Sequence, residues 1–417
     1  MIHESLTGVV VVGGGPAGSF VAGELARRGV EVALLDREEF PRFHIGESLL
    51  PQSMSVLHRA GLWPLITAAG FVRKDGVVFL AHDETHCARF DFADAIPKSE
   101  FPHAYQVERK QFDNLLLEWA RDQGVKVRTA CESVVVESRD REGLVTAVSG
   151  DLRIRARFCV DAAGLDSTTG RIRGWAAEPL IKDKGALFGH FRLAKDPLSN
   201  VSGAVSGDIL IVEHDTIWFW VIPLAGGHTS VGFVAPLAAL SALPYESNEE
   251  RFAHVVATFP AMVDRLARSE RLSPIRGARS YGRSQTRLYA DGLALTGDAA
   301  GFLDPVFSSG VCVALQTSEA LAKAITLSLS NPALEAEAMA GFESVHRRAL
   351  RSMGPFVETW YDGALKRVFY IKNKPPQVQA AITSLLAGEL WNEANPVVRE
   401  GAAWVRALDS MIAAQTA

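Results

Sequence analysis

The stretch that decides the fold is GVVVVGGGPAGSFVAGELARRGVEVALLD, which occupies residues 8–36. Gly8–Val12 is a β-branched apolar run, and it predicts a strand that is buried on both faces. A glycine-rich turn follows, and the apolar spacing over Ser19–Arg28 predicts a helix that ends at Gly29. Glu31–Leu35 predicts a second strand, so the whole stretch forms a β-turn-α-β unit.

The turn of this unit has the glycine spacing of a dinucleotide fingerprint, Gly13-x-Gly15-x-x-Gly18. The first glycine permits a tight turn, the second lets the backbone approach a pyrophosphate, and the third allows the helix to pack closely on the strand. The helix N-terminus then offers free N–H groups to phosphates. Asp36 ends the second strand, where a carboxylate can accept hydrogen bonds from ribose hydroxyls. The pattern predicts a dinucleotide cofactor and does not separate FAD from NAD.

The composition limits the classes of partner. The 417 residues are 48% hydrophobic and 22% charged, which is the balance of a globular chain with a large core. The net charge of -5 argues against nucleic acid as a partner. The cysteines lie far apart without a CxxC pair, so we predict no metal site and no disulfide framework; they are Cys87, Cys131, Cys159 and Cys312.

The N-terminus has no basic segment ahead of an apolar run, so it does not read as a signal peptide. No uninterrupted apolar run is long enough to cross a bilayer. We therefore expect no transmembrane segment and a cytoplasmic location.

Two kinds of pattern follow the first unit. Val72–Leu80 predicts a single strand, and Phe112–Gln123 has the apolar periodicity of a helix. Strand patterns separated by turn residues fill about 182–236 and indicate an antiparallel sheet, and therefore a second layer. A long helix is predicted to begin after Gly310, and the chain beyond Pro332 is predicted to be mostly helical.

A second glycine-rich turn distinguishes between the two cofactors. LALTGDAAG at residues 293–301 is an apolar strand, then a tight turn with an acid, then small residues. Here the chain resembles the glutathione-reductase-like FAD proteins, in which the aspartate of such a turn holds the ribityl chain; Asp298 matches it. Arg109 in QVERKQFDNLL matches an arginine that contacts FAD in that class. The alternatives are a common Gly-Asp turn and a solvated surface arginine.

These patterns together predict an α/β fold with a Rossmann-like FAD-binding domain, an inserted antiparallel β-sheet domain for substrate and a helical C-terminal region. The FAD-binding domain is predicted to be discontinuous, over 1–80, 105–178 and 280–330. The substrate-binding sheet is assigned to 81–104 and 179–279, and the helical region to 331–417.

Three further stretches narrow the family. They are FPRFHIGESLLP at residues 40–51, WFWVIP at 218–223 and FLDPVFSSG at 302–310. With the fingerprint, they resemble the flavin-dependent halogenases of the phenol- or pyrrole-directed type. The second matches the WxWxIP signature of that family and the third its FxxPxxSxG signature. The resemblance covers roughly the first 330 residues.

The resemblance implies an enzyme that uses reduced FAD, O2 and chloride or bromide to form hypohalous acid. Lys74 matches the catalytic lysine that receives it, and Ser309 and Gly310 are the expected halide ligands. Trp218 and Trp220 match the pair that shields substrate from the flavin. The alternatives are an ordinary surface lysine and two core tryptophans. The expected FAD-binding residues are Gly13, Gly15, Ala17, Gly18, Asp36, Arg42, Ile45, Ser48, Arg109, Asp298, Pro305, Gly310 and Val311.

The chain departs from relatives at two informative positions. Tryptophan-directed halogenases have a glutamate where this chain has Phe307, so an activated ring such as a phenol or pyrrole is the expected substrate. Ala163 replaces the aspartate of the DG motif with which the hydroxylases handle FAD and NADPH, and there is no second GxGxxG. We therefore expect FADH2 to come from a separate flavin reductase. Many relatives act on rings tethered to a carrier protein, which would make an acyl or peptidyl carrier protein a partner.

Two alternatives remain open from sequence. The first is a halogenase-like FAD-dependent oxidoreductase without halogenation, either a monooxygenase or an enzyme like the geranylgeranyl reductases, which share the PxxxxGES stretch. The second is a non-catalytic flavin-binding protein. Halide-dependent changes in flavin absorbance would favour the halogenase, and slow flavin reoxidation with tight FAD retention would favour the non-catalytic protein.

Overall fold

The computed structural model describes residues 3–96, 100–177, 183–279 and 282–416. Strands and helices alternate in its first third, and helices fill its last quarter. The strands of these described residues are β1 (His3–Val12), β2 (Val32–Leu35), β3 (Val72–Lys74), β4 (Gly76–Ala81), β5 (Cys87–Asp91), β6 (Ala104–Gln106), β7 (Lys126–Arg128), β8 (Val135–Glu137), β9 (Val145–Ser149), β10 (Leu152–Asp161), β11 (Ala176–Ala177), β12 (Lys184–Arg192), β13 (Ile209–His214), β14 (Ile217–Pro223), β15 (Thr229–Pro236), β16 (Glu270–Arg271), β17 (Arg276–Arg279), β18 (Ser284–Gln285), β19 (Tyr289–Ala290) and β20 (Leu293–Leu295).

The first helix begins at Pro16, three residues before the predicted start, because a proline at the first helical position lacks only an N–H that the helix leaves unbonded. A short 3-10 helix over Phe92–Asp94 follows β5. The α-helices of the described residues are α1 (Pro16–Arg27), α2 (Pro51–Arg59), α3 (Trp63–Ala68), α4 (Arg109–Asp122), α5 (Thr169–Ile172), α6 (Leu237–Ala242), α7 (Asn248–Ala257), α8 (Pro260–Leu266), α9 (Gly310–Ser330), α10 (Glu335–Tyr361), α11 (Ala364–Phe369), α12 (Pro376–Leu386), α13 (Pro396–Glu400) and α14 (Ala402–Thr416).

The first sheet carries the dinucleotide fingerprint. Its central strands run parallel in the order β20-β10-β1-β2-β7, and antiparallel strands are added beside β20 and β10. Val9, Val10 and Val11 of β1 have no exposed surface, as expected for a central parallel strand. Helices α1, α4 and α9 pack together on this sheet. The predicted α/β class is confirmed.

The second sheet has eight strands, with the main order β16-β12-β15-β14-β13-β4-β5. It was predicted to be antiparallel, but it is mixed, because β4 pairs with β13 in parallel. The sheet therefore includes Gly76–Ala81, and the predicted domain boundary at residue 80 is wrong by one strand. The predicted boundaries at 178/179 and 279/280 adjoin residues 178–182 and 280–281, which lie outside the described part of the chain.

The predicted strand Val72–Leu80 is two strands in two different sheets. β3 pairs with β6 in a small two-stranded sheet, whereas β4 joins the second sheet. Asp75 separates them, and its carbonyl accepts a hydrogen bond from the Phe92 amide at 2.9 Å. β3 is only partly buried, with Arg73 exposed, whereas every residue of β4 is buried. The break places Lys74 at the junction between the small sheet and the second sheet.

The C-terminal helices α10–α14 cover one face of the second sheet, as the helical prediction for this region requires. Their buried side chains join those of β4, β5 and β14 in one hydrophobic cluster. That cluster also contains Phe307 and Leu50, which flank the turn before α9 and the start of α2. The second sheet, the C-terminal helices and the segments that precede α2 and α9 therefore share one hydrophobic core.

Candidate active site

The fingerprint turn has the close contacts that its glycines were predicted to permit. A Cβ atom on Gly18 would lie 1.8 Å from the Gly13 carbonyl oxygen, and one on Gly13, whose φ is +103°, would lie 2.4 Å from the Ala162 carbonyl oxygen. A Cβ on Gly15 would meet only the Arg42 guanidinium, at 3.3 Å. Gly13 and Gly18 are therefore required by the fold, while the backbone at Gly15 stays open to a ligand.

Asp36 sits beside this turn and is buried. Its Oδ2 accepts a hydrogen bond from the Gly14 amide at 2.5 Å, and its Oδ1 accepts one from the Glu38 amide at 2.8 Å. Each carboxylate oxygen has a second lone pair, so Asp36 fixes the turn and can still accept from a ribose hydroxyl.

A buried arginine–aspartate cluster adjoins the turn. Arg109, at the start of α4, is only 5% exposed, so the alternative of a solvated surface arginine is wrong. Its guanidinium binds both oxygens of Asp113, at 2.7 and 3.0 Å, and donates to the Ile45 carbonyl at 2.7 Å. Arg42 binds the same Asp113 at 3.0 Å. The cluster ties the predicted FAD-contacting residues Arg42, Ile45 and Arg109 together.

Asp298 lies in the second glycine-rich turn, which follows β20. Among the described residues, no group donates a hydrogen bond to its carboxylate. Burial raises its pKa from 3.8 to about 6, and the charges of Arg109 and Arg283 oppose that rise. A desolvated carboxylate without a donor is costly unless a ligand supplies one. The same turn faces Ala17, since a Cβ on Gly297 would lie 2.8 Å from the Ala17 Cβ. The open Gly15 backbone and this acceptor fit FAD.

Lys74 ends β3 and is 1% exposed, so it is not an ordinary surface lysine. Its ammonium donates to Ser48 Oγ at 2.8 Å and to the Leu49 carbonyl at 3.0 Å. Neither partner is charged. Burial lowers its pKa from 10.5 to about 7, and the negative charge of Asp208 opposes this shift. The structure thus places a readily deprotonated amine inside the protein.

The turn before α9 presents backbone N–H groups. Pro305 precedes it, and its carbonyl accepts from the Ser308 amide at 3.0 Å. Ser308 adopts the left-handed φ of +56°, which lets the chain enter α9 at once. Ser309 is buried and occupies the N-cap position without a side-chain capping hydrogen bond, so the amides of Gly310 and Val311 begin the helix without helical acceptors. Free backbone amides at the start of a helix are chemically suited to an anion.

Trp218 and Trp220 lie on one face of β14, as predicted, with ring centroids 6.0 Å apart. Both are buried in the cluster that also contains Phe307 and Phe92. Trp220 Nε1 donates to Ser230 Oγ at 3.1 Å and Trp218 Nε1 donates to Tyr361 Oη at 3.0 Å. Trp218 is linked through the Tyr361 hydroxyl to Asp304, which precedes the turn before α9.

The sequence reasoning missed two groups next to these residues. Asp304, inside FLDPVFSSG, is 2% exposed and binds Tyr361 Oη at 2.9 Å and the Val306 amide at 3.0 Å. Glu47 in the Gly-Glu-Ser stretch is buried and binds His190 Nε2 at 2.8 Å. The available signal was a single acidic residue inside each of two otherwise mainly apolar motifs. The hydrogen-bond partners of these acids, Tyr361 and His190, are distant in sequence.

No group of three or more histidine, cysteine, aspartate or glutamate side chains with metal-binding geometry occurs in the described ranges. In the same ranges, no helix has the length and apolar character that a membrane span needs.

The fold and site define an FAD-dependent oxidoreductase. A family model described as an FAD binding domain matches residues 6–339, and the chain belongs to that family. It is 30% identical over 412 residues to the 1H-pyrrole-2-carbonyl-(peptidyl-carrier protein) chlorinase of Pseudomonas fluorescens, covering 92% of this chain and 89% of that protein. Within the family it is thus a homologue of flavin-dependent halogenases.

Solved structures also relate this chain to flavoproteins, including a halogenase. A flavoprotein/dehydrogenase from Cytophaga hutchinsonii superposes with a TM-score of 0.89 at 31% identity, over 99% of this chain and 100% of that one. The myxobacterial chondrochloren halogenase CndH, described as a variant of FAD-dependent halogenases, superposes with a TM-score of 0.77 at 31% identity, over 94% and 92%.

Proposed function

We propose that this protein is a two-component halogenase that uses FADH2 and O2 to chlorinate or brominate an electron-rich aromatic ring. A separate flavin reductase supplies the FADH2, and the reaction takes place in the cytoplasm. We also place the chain within the glutathione-reductase-like FAD proteins, with the second sheet as the substrate-binding domain.

The observation that carries the proposal is the state of Lys74. Its side chain is fully buried, it has no directly bound carboxylate among the described residues, and its pKa is lowered to about 7. Burying a lysine in this way costs stability, and proteins retain such groups mainly where they act chemically. Lys74 is suited to hold hypohalous acid by a hydrogen bond from its ammonium or, as a neutral amine, to take up the halogen.

When bound, FAD supplies the oxidation: FADH2, O2, a halide ion and a proton give FAD, hypohalous acid and water. The chain's residues do the rest. The amides at Ser309 and Gly310 hold the halide, and Lys74 holds the hypohalous acid. Replacement of a ring hydrogen by halogen then releases a second water. Trp218 and Trp220 keep the ring away from the cofactor.

Phe307 argues for a phenol or pyrrole as substrate. Its ring packs against Phe356 at 4.9 Å and Trp360 at 5.8 Å and offers no acceptor for a ring proton. Activated rings lose that proton without a strong base. The P. fluorescens relative is named for a pyrrole carried on a peptidyl carrier protein, which supports a tethered ring as the substrate here; a free phenol is the other form to be tested.

The test is turnover with FAD, a flavin reductase, NADH, O2 and bromide, followed by mass spectrometry on phenol and carrier-tethered pyrrole probes. The expected result is a brominated product that disappears in Lys74→Ala, while the oxidation of FADH2 by O2 continues in that variant. Lys195→Ala, at an exposed lysine of the second-sheet region, is the matched control. Peroxide release with no brominated ring on any probe would contradict the proposal.

A second candidate is an FAD-dependent oxidoreductase that does not halogenate, such as a monooxygenase or a reductase resembling the geranylgeranyl reductases. The TM-score of 0.89 with a structure described as a flavoprotein/dehydrogenase favours it. Oxygenated or reduced product without halide dependence in the same assay would select it. Tight FAD retention with no turnover would instead indicate a non-catalytic flavin-binding protein.

A further inference from the structure

An open cleft of about 780 Å³ lies between the edge of the second sheet and the C-terminal helices. One wall is β5 with the 3-10 helix Phe92–Asp94, and the other is the segment Phe369–Ala380. Gln379 Nε2 donates to the Arg89 carbonyl at 3.1 Å and ties the two walls together. The volume suits an extended organic ligand.

The 3-10 helix that lines the cleft also contacts Lys74. Ala93, Asp94 and Ala95 line the cleft, while their neighbour Phe92 is 1% exposed and its ring centroid lies 5.2 Å from the Lys74 ammonium. Phe92 therefore joins the lining of the cleft in sequence to the amine in space.

A second aromatic path leads from the cleft toward the turn before α9. Phe369, which lines the cleft, has its ring centroid 4.7 Å from that of Phe79. The Phe79 centroid is in turn 6.4 Å from that of Phe307, which immediately precedes Ser308. The aromatic residues on the inner side of the cleft therefore belong to the same hydrophobic cluster as Phe307.

Two lysines, Lys372 and Lys374, line the cleft. Lys372 is exposed, and neither it nor Lys374 forms an ion pair with a carboxylate among the described residues. Lys374 donates to the Phe369 carbonyl at 2.7 Å and lies 4.9 Å from the Phe90 ring centroid. Burial lowers its pKa to about 8. Arg89 is neutralised by Asp91 and Asp208, and Asp94 is the acid in the lining. Two cations without counter-ions favour an anion here.

We propose that this cleft binds the phosphate-bearing acyl arm of a carrier protein, with the phosphate on Lys372 and Lys374 and the ring directed past Phe92 toward Lys74. The inference rests on the proposed function, since it assigns the entry route of a tethered ring. An arm that is anionic at one end and aromatic at the other matches a cleft that is lined by two lysines and by aromatic side chains.

Binding can be tested without turnover, because Cys87 is exposed and lines the cleft. The FAD-loaded protein with Cys131→Ser is alkylated with iodoacetamide, and the rate at Cys87 is followed by mass spectrometry. S-benzyl-4′-phosphopantetheine is expected to slow this rate, with S-benzyl-pantetheine about tenfold weaker because it lacks the phosphate. Lys372→Gln/Lys374→Gln should remove the difference between the two compounds. Equal protection by both, or none, would overturn the proposal.

A kinetic comparison uses a ring attached to the intact carrier protein as the substrate. Lys372→Gln/Lys374→Gln is expected to raise KM about tenfold for a carrier-tethered ring relative to a phosphate-free thioester of the same ring. Lys195→Gln/Lys323→Gln changes the same charge outside the cleft and should leave that ratio unaltered. If KM rises but the phosphate-bearing compound binds as before, the lysines contact the carrier protein and the assigned arm site is wrong. Protection of Cys87 without any halogenation would refute the proposed function alone.

Discussion

Tyr361, the last residue of α10, donates a hydrogen bond to Asp304 Oδ2 at 2.9 Å. The same hydroxyl accepts from Trp218 Nε1 at 3.0 Å. The C-terminal helices are thereby joined to Trp218 and to the stretch that ends in the turn before α9. Asp304 and Trp218 are buried, and the Tyr361 hydroxyl connects them. Asp304 therefore holds the turn before α9 in position.

Asp304 should make stability depend on pH. Burial raises its pKa from 3.8 to about 7, against the hydrogen bonds from Val306 and Tyr361. A raised folded-state pKa means that the stabilisation is complete below about pH 4 and is lost as the pH rises through 7. Between pH 5 and pH 8 we expect the wild type to lose roughly 2–3 kcal/mol of unfolding free energy relative to Asp304→Asn. Urea unfolding at the two pH values measures this; equal losses in both proteins would contradict it.

The fingerprint glycines should divide into folding and binding roles. Gly18→Ala places a Cβ 1.8 Å from the Gly13 carbonyl oxygen, so we expect loss of the folded protein. Gly15→Ala meets only the flexible end of Arg42 at 3.3 Å, so it should fold and bind FAD about tenfold more weakly. Circular dichroism and fluorescence titration of FAD separate the two effects. A Gly15→Ala protein with unchanged FAD affinity would disprove the binding role.

The sequence was sufficient for the α/β class and for the FAD and halogenase relationships, because those depend on local motifs with fixed spacing. It could not reveal that Val72–Leu80 breaks at Asp75, since the strands that pair with its two halves, β6 and β13, lie further along the chain. Nor could it show that Lys74 is buried against Ser48 and the Leu49 carbonyl, because that contact joins segments 25 residues apart. The Tyr361–Asp304 bond spans 57 positions and has no local signature.

Phe307 should resist conversion to the glutamate of the tryptophan-directed relatives. The ring is 3% exposed and is surrounded by Phe79, Phe356 and Trp360. A carboxylate there would have no donor from these aromatic neighbours, so Phe307→Glu should cost about 3–5 kcal/mol of unfolding free energy. Phe307→Leu, which keeps the site apolar, should cost roughly 1–2 kcal/mol. Denaturant unfolding of both variants at neutral pH decides the matter, and a stable Phe307→Glu that halogenates tryptophan would refute the argument.

Replacing Lys74 should abolish halogenation and, near pH 7, increase stability. Burial lowers its folded-state pKa from 10.5 to about 7, so the stabilisation from the neutral amine is present above pH 10.5 and is lost as the pH falls through 7. Lys74→Met fills the same space without a charge. Relative to this variant, the wild type should lose roughly 3 kcal/mol of unfolding free energy between pH 9.5 and pH 7. Lys195→Met, at an exposed lysine, should show no such difference. A protein that becomes more stable near pH 7 while losing halogenation would show that Lys74 is kept for chemistry at the expense of the fold; a less stable Lys74→Met would assign the residue a structural role.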